Sequence, residues 1–318
     1  MSRLISANEA AKLLIENDKY LILTHAHPDG DTLGSAFALN SALRSMGKQS
    51  NVICGDEIPH KFSYLTVEGN LEFEPDTIIS VDVADKKLLG SLKEPYGQNV
   101  LLNIDHHSTN VSFAENVYLE GDSAAACECV YNVIKELKVK VTPFIATCLY
   151  TGIATDTGCF MFSNTTPRTH IYAAELMNQG AHYDAVNRAM FEVKTRSRLE
   201  LERQVLQSIE YVGDGRCAII TLTQKMIRET GCDSSDLDGI TALSRQIEGV
   251  QIGVTVREKI DGVWKVSLRT FEPFDAAEIC AKFGGGGHKR AAGCELDCSC
   301  DEVKARLRAV ILEMLNAD

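Results

Sequence analysis

Cationic side chains are the scarce class in this chain: 32 Lys and Arg stand against 44 Asp and Glu, a net charge of −12. That balance opposes broad binding to a nucleic-acid backbone, whose phosphates must be met by cations. Long apolar runs are missing too. None approaches the ~18 residues that suggest a membrane span, and Met1–Ser6 leads into a helix start instead of the apolar core of a signal peptide. A cytoplasmic protein is expected. A disulfide framework is equally absent, because the 11 cysteines are odd in number and scattered among apolar neighbours, as at Cys54, Cys148, Cys159, Cys217 and Cys280. Cys294, Cys298 and Cys300 lie closer together, but no fourth ligand stands nearby, so zinc is a weak reading.

What is present fits a soluble globular chain: 45% hydrophobic residues and a mean hydropathy of −0.08. A length of 318 residues exceeds what one core usually supports, so two domains are expected. The charge is uneven. Residues 241–293 hold eight Lys/Arg against six Asp/Glu, which leaves −14 on the remainder. An anionic ligand should therefore be short and held locally.

Ser6-Ala7-Asn8-Glu9 reads as a capping box at a first helix. Apolar strands near 20–24, 50–54, 77–83 and 99–104 alternate with helices at 33–46 and about 123–137. Thr142-Pro143 and Thr166-Pro167 supply further helix starts. Strands without clean alternation, interleaved with helices, predict a mainly parallel α/β sheet with helices on both faces, over residues 1–190. Residues 191–212 read as a charged helical linker, or equally as an ordinary surface helix. Residues 213–318 form a smaller α/β domain, in which Asp261-Gly262 marks a hairpin. In its second strand Trp264, Val266 and Leu268 share one face, while Lys265, Ser267 and Arg269 share the other, free face.

The chemistry-bearing residues follow the apolar runs. Thr24-His25-Ala26-His27-Pro28-Asp29-Gly30-Asp31 follows Tyr20–Leu23, Asp82 ends Ile78–Val81, and Asp105-His106-His107 ends Val100–Ile104. Asp156 follows a helix-like apolar segment. A parallel sheet gathers such positions at its carboxyl edge. A lone His or Asp on such a loop is usually a cap or turn residue. Carboxylates crowded together, however, repel unless cations neutralise them, and two divalent ions carry +4 against the −4 of four aspartates. Oxygen and nitrogen donors without thiolate favour Mn²⁺ ahead of Mg²⁺, with Zn²⁺ less suited. Further on, Gly284–Gly287 precede His288-Lys289-Arg290, where bare amides and nearby cations can cradle a phosphate. Arg269 is a second candidate anion contact.

His25-x-x-x-Asp29-x-Asp31, Asp82, Asp105-His106-His107 and Asp156 resemble the four successive motifs of the DHH phosphoesterases, and Gly284–Gly293 resembles the signature of the accessory DHHA1 domain. The resemblance covers essentially the whole chain. It implies that His25, Asp29 and Asp82 hold one metal, that Asp31, Asp82, His106 and Asp156 hold the other, and that Asp82 bridges them. His107 would then stabilise the scissile phosphate or protonate the leaving oxygen. Asp105 would orient a histidine, and His27 would remain a loop residue. Arg269, Gly285, Gly286, Gly287, His288, Lys289 and Arg290 would face substrate across a cleft between the domains.

The implied activity is degradation of very short RNA to mononucleotides together with dephosphorylation of 3′-phosphoadenosine 5′-phosphate (pAp). The alternatives are a phosphodiesterase for cyclic di-AMP or linear dinucleotides and, more remotely, a non-catalytic nucleotide sensor. The expected partners are short oligonucleotides or small phosphorylated nucleotides, with neither a membrane nor long duplexes. A homodimer is implied by the resemblance alone.

Overall fold

The structure, a computed structural model, describes residues 2–66, 69–233, 237 and 239–317. Met1–Val193 form one compact unit and Lys194–Asp318 a second. Among the described residues no helix is long and apolar enough to cross a membrane.

In the first unit the apolar runs become strands whose two faces are both covered. Its elements are β1 (Arg3–Leu4), α1 (Ala7–Glu16), β2 (Tyr20–Leu23), α2 (Gly30–Ser45), β3 (Ser50–Ile53), β4 (Thr77–Val81), α3 (Lys93–Tyr96), β5 (Val100–Asp105) and β6 (Asn116–Leu119). The helices α4 (Ala126–Glu136), α5 (Pro143–Asp156), α6 (Pro167–Asn178) and α7 (Tyr183–Asn187) complete it. The sheet order is β1-β6-β5-β4-β2-β3, and every pairing is parallel. Tyr20 and Ile22 join the core beneath the long helices. Leu21 and Leu23, one residue out of phase, face a second cluster with Leu89, Leu92 and Val100, covered by shorter helical turns.

Several local signals act as the sequence suggests. Ser6 and Glu9 form a reciprocal capping box, and Thr142 and Thr166 cap helices that open on proline. One start differs: α2 begins at Gly30, three residues before the apolar periodicity at Leu33, because the Asp29 side chain accepts from the amides of Asp31 and Thr32. The short strands β1 and β6 were not anticipated from the sequence.

Helices α2 and α5 cross closely because glycine lines both sides. A Cβ on Gly34 would lie 2.3 Å from the Cys148 carbonyl oxygen, and one on Gly152 would lie 2.6 Å from Asp31 Oδ1. This approach brings the first turn of α2 beside the C-terminal turn of α5, and hence Asp31 near Asp156.

In the second unit α8 (Arg196–Gln207), β7 (Glu210–Val212), β8 (Cys217–Leu222), α9 (Gln224–Thr230), β9 (Ile252–Glu258) and β10 (Trp264–Thr270) precede α10 (Ala276–Ala281), β11 (Gly286–His288), β12 (Ala291–Leu296) and α11 (Cys300–Ala317). The sheet runs β11-β12-β10-β9-β8-β7, with only β8 and β9 parallel. Helix α8 buries Leu201 and Val205 against Ile220 and Leu222 of this unit. The charged stretch after residue 190 is thus largely built into the second unit's packing. Val266 and Leu268 join its main core with Cys217, Cys280 and Cys294. Among the described residues no disulfide joins the cysteines.

Candidate active site

Strands β2, β4 and β5 are neighbours in the sheet, so the residues that follow their carboxyl ends converge. His25 follows β2, Asp82 follows β4 and Asp105 closes β5. His25 Nδ1 lies 2.8 Å from the Ala26 carbonyl, which leaves Nε2 facing Asp29 Oδ1 at 3.6 Å and Asp82 Oδ2 at 3.5 Å. His106 repeats the device. Its Nδ1 lies 3.1 Å from the Ser123 carbonyl, while Nε2 faces Asp31 Oδ2, Asp82 Oδ1 and Asp156 Oδ2 at 3.8, 3.6 and 3.7 Å. Each ring nitrogen held by a carbonyl fixes which nitrogen is left for the carboxylates.

The electrostatics show a strong demand for positive charge. Asp31 is buried and pushed up to about 6 by desolvation and by the charge of Asp29. Asp156 rises to about 7, again by desolvation and then by Asp31. Asp82 is raised well above the carboxylate range for the same two reasons, and its Oδ1 has no hydrogen-bond partner. It also adopts φ +57°, an unusual conformation for a residue with a side chain. His25 goes the other way: burial pulls it down, but hydrogen bonds and charge from Asp29 and Asp82 lift it to about 11. A carboxylate cluster that draws protons so strongly is suited to divalent cations, which satisfy the same demand without protonating the ligands.

The donors fall into groups able to hold a metal: His25, Asp29 and Asp82; Asp31, His106 and Asp156; and Asp82, His106 and His107. The orphaned Asp82 oxygen, the overlap of these groups and the absence of thiolate from the donor set all fit a hard or borderline cation.

Asp105 is buried and belongs to none of these groups. Its Oδ1 accepts from the His106 amide at 2.9 Å and meets His107 Nδ1 at 2.8 Å, while Asn110 Nδ2 donates to Oδ2. Burial opposes its ionisation, but the bonds from His107 and Asn110 override this and keep its pKa below the usual value. The hydrogen bond that His107 donates to Asp105 raises the half-exposed histidine to about 9. The exposed His27 pairs with Asp56 at 3.0 Å.

The glycine-rich segment of the second unit is a paired edge strand. Gly286, Gly287 and His288 pair with Gly293, Ala292 and Ala291. A Cβ on Gly285 would lie 2.3 Å from the Gly293 carbonyl oxygen, and Gly287 has φ +146° with Ala292 Cα only 2.7 Å from such an atom. Glycine is therefore needed at 285 and 287 for close backbone approach. His288 and Lys289 are exposed at the turn. Arg290 is committed within the fold, donating Nη1 to the Phe274 carbonyl at 2.8 Å and pairing with Glu272. Arg269 lies opposite Gly253 and Ala291 on the face away from the core. Burial and repulsion from Arg245 lower its pKa. Arg245 was not singled out in the sequence, since a lone arginine in an irregular segment carries no spacing signal. The Ala126 and Cys127 amides that bind Asp31 at 2.6 and 2.9 Å are likewise backbone groups without a sequence signature.

The fold and this donor set define a metal-dependent phosphoesterase. The chain belongs to the DHH family: residues 19–153 match the DHH family, N-terminal domain, and residues 216–317 match the DHHA1 domain. It is 34% identical to the bifunctional oligoribonuclease and PAP phosphatase NrnA of Thermus thermophilus, over 86% of this chain and 83% of that one. It is also 26% identical to the cyclic-di-AMP phosphodiesterase GdpP of Geobacillus thermodenitrificans, covering 94% of this chain but 48% of that one. Among solved structures, an exopolyphosphatase-related protein from Bacteroides fragilis shares the fold with a TM-score of 0.86 at 24% identity, covering 98% of this chain and 97% of that one.

Proposed function

We propose that this protein is a cytoplasmic hydrolase that uses two divalent cations, Mn²⁺ first and Mg²⁺ second, to cut very short RNA into mononucleotides and to remove the 3′-phosphate of pAp. The observation that carries this reading is Asp82, buried, with an unpartnered oxygen and common to two donor groups, in a chain whose Thermus relative bears both activities in its name. His25 and Asp29 would complete one site around Asp82. Asp31, His106 and Asp156 would complete the other.

Bound there, two cations would polarise a phosphoryl group and lower the pKa of the attacking water. The remaining work falls to the chain. Asp105 stays ionised and keeps His107 protonated at neutral pH, with Nδ1 tied to Asp105 and Nε2 left to donate. His107 is thereby fitted to stabilise charge on the phosphoryl oxygens or to protonate the leaving oxygen. In the second unit Arg269, His288, Lys289 and the backbone of Gly285–Gly287 would take phosphate. Arg290, bonded to Phe274 and Glu272, would support the turn that presents them.

The test is Mn²⁺-dependent product formation from a 5′-phosphorylated RNA dinucleotide, pAp and cyclic di-AMP, compared by kcat/KM. Preference for the RNA dinucleotide with measurable pAp turnover supports the reading. Preference for the cyclic substrate would move the chain to the activity named for the GdpP relative, and binding of all three without turnover would make it a sensor.

A further inference from the structure

Of the groups around His106, its Nδ1 contact is the least obviously secured. The accepting Ser123 carbonyl belongs to the irregular stretch before α4, where the Ser123 amide bonds to the Glu120 carbonyl at 2.9 Å. Side chains supply the rest of the anchorage, and they centre on Arg168 at the start of α6. Arg168 Nη2 donates to Ser123 Oγ at 2.7 Å, Nη1 pairs with Glu120 Oε2 at 3.2 Å, and Nε faces Glu128 Oε2 at 3.4 Å. Glu128 is fully buried, and the same oxygen accepts from the Ala124 amide at 3.3 Å.

The segment held in this way meets the site at several points. It gives the Ser123 carbonyl to His106 and the Ala126 and Cys127 amides to Asp31. Asn164 Nδ2 ties the Ala124 carbonyl to the Asp156 carbonyl at 3.0 and 3.2 Å. Apolar side chains would fill the volume around Glu128 without the desolvation cost of a buried carboxylate, so stability alone gives a weak account of this ion pair. Fixing the position of the segment gives a better one.

We propose that Arg168 is a positioning residue that, through Ser123 and Glu128, fixes the Nδ1–H tautomer and ring orientation of His106 and so presents Nε2 to the cation between Asp31, Asp82 and Asp156. The inference rests on the reading of His106 as a metal ligand. A fork with separate contacts to Ser123, Glu120 and Glu128 suits arginine and not lysine, which is a point charge without the fork.

The experiment compares Arg168→Gln, Arg168→Lys and the double variant Arg168→Gln/Glu128→Gln with the wild type. ¹⁵N-correlated imidazole NMR without metal, at a pH that leaves the ring neutral, reads the tautomer of His106, and calorimetry reads Mn²⁺ affinity. Near-UV circular dichroism reports folding. Arg168→Gln leaves Glu128 buried without its cation and is expected to be the least stable. The double variant removes both charges and should fold, yet show mixed His106 tautomers and about 10- to 100-fold weaker Mn²⁺ binding, the usual range for residues that orient a ligand. Arg168→Lys should recover part of that affinity. A folded double variant with a pure Nδ1–H form and wild-type affinity overturns the proposal. If wild type binds no Mn²⁺ but the double variant still changes the tautomer, positioning by Arg168 stands and the metal reading of His106 fails.

Discussion

Substituting Gly34 with alanine adds one methyl group at the crossing of α2 and α5. Its Cβ would stand 2.3 Å from the Cys148 carbonyl oxygen, 3.1 Å from Cys127 Sγ and 3.2 Å from the Gly152 nitrogen. Bringing the first contact to an ordinary 3.4 Å requires the backbones to part by about 1 Å. Alanine in a helix gains roughly 1 kcal/mol in propensity over glycine, while forcing a methyl into a closed core costs roughly 1–3 kcal/mol. The expected net loss is about 0–2 kcal/mol, or a Tm lower by at most roughly 8 °C for a unit of this size. Activity should suffer more, because Asp31 lies on α2 and Asp156 on α5. A displacement near 1 Å at reacting groups costs about 100-fold in rate. The control is Gly47→Ala, with φ +81° and no atom within 4 Å of the new Cβ. It strains the backbone by roughly 1 kcal/mol without moving the site, so Tm should fall while kcat holds. Differential scanning fluorimetry and kcat on the RNA dinucleotide separate the two variants. Gly34→Ala with kcat within twofold of wild type, or Gly47→Ala losing as much activity, would refute the reasoning.

Asp82→Asn should lower kcat/KM by more than about 100-fold by removing the carboxylate common to two donor groups, yet raise Tm in chelator because a buried carboxylate that repels Asp31 is gone. Lower activity with unchanged Tm in chelator would separate the two effects and contradict the second. Without metal, Tm should fall as pH rises from 5 to 8. Asp31 and Asp156 have folded values of about 6 and about 7, so their protonated forms stabilise the fold below the unfolded value of 3.8 and that contribution is lost as pH passes through 6–7. The raised values of His25 and His107, about 11 and about 9, give stability that also declines with rising pH, from 6.5 upward. A Tm in chelator that climbs over this range would contradict the assignment, and saturating Mn²⁺ should reverse the slope because its ligands must be deprotonated. Arg269→Ala should raise KM about tenfold with little change in kcat, as expected for loss of one charge-assisted phosphate contact. Arg290→Ala, which loses the Phe274 carbonyl and Glu272, should instead lower Tm.

The sequence by itself determined the parallel sheet and the residues at its carboxyl edge. A strand buried on both faces must be apolar throughout, and the aspartates and histidines of the candidate site interrupt that pattern where β2, β4 and β5 end. It also determined the hairpin at Asp261-Gly262, because few residues adopt the positive φ such a turn needs, and Gly262 has φ +84°. Tertiary structure alone decided which donors meet. His25 and His106 both face Asp82, although 57 and 24 residues separate them from it, because β2 and β5 flank β4 in the sheet. Tertiary structure also decided that Arg290 is tied to the stretch after β10 and that Arg168 reaches the loop behind His106. These outcomes depend on contacts between chain segments far apart and on backbone carbonyls and amides that every residue carries, so no spacing of side chains along the chain encodes them.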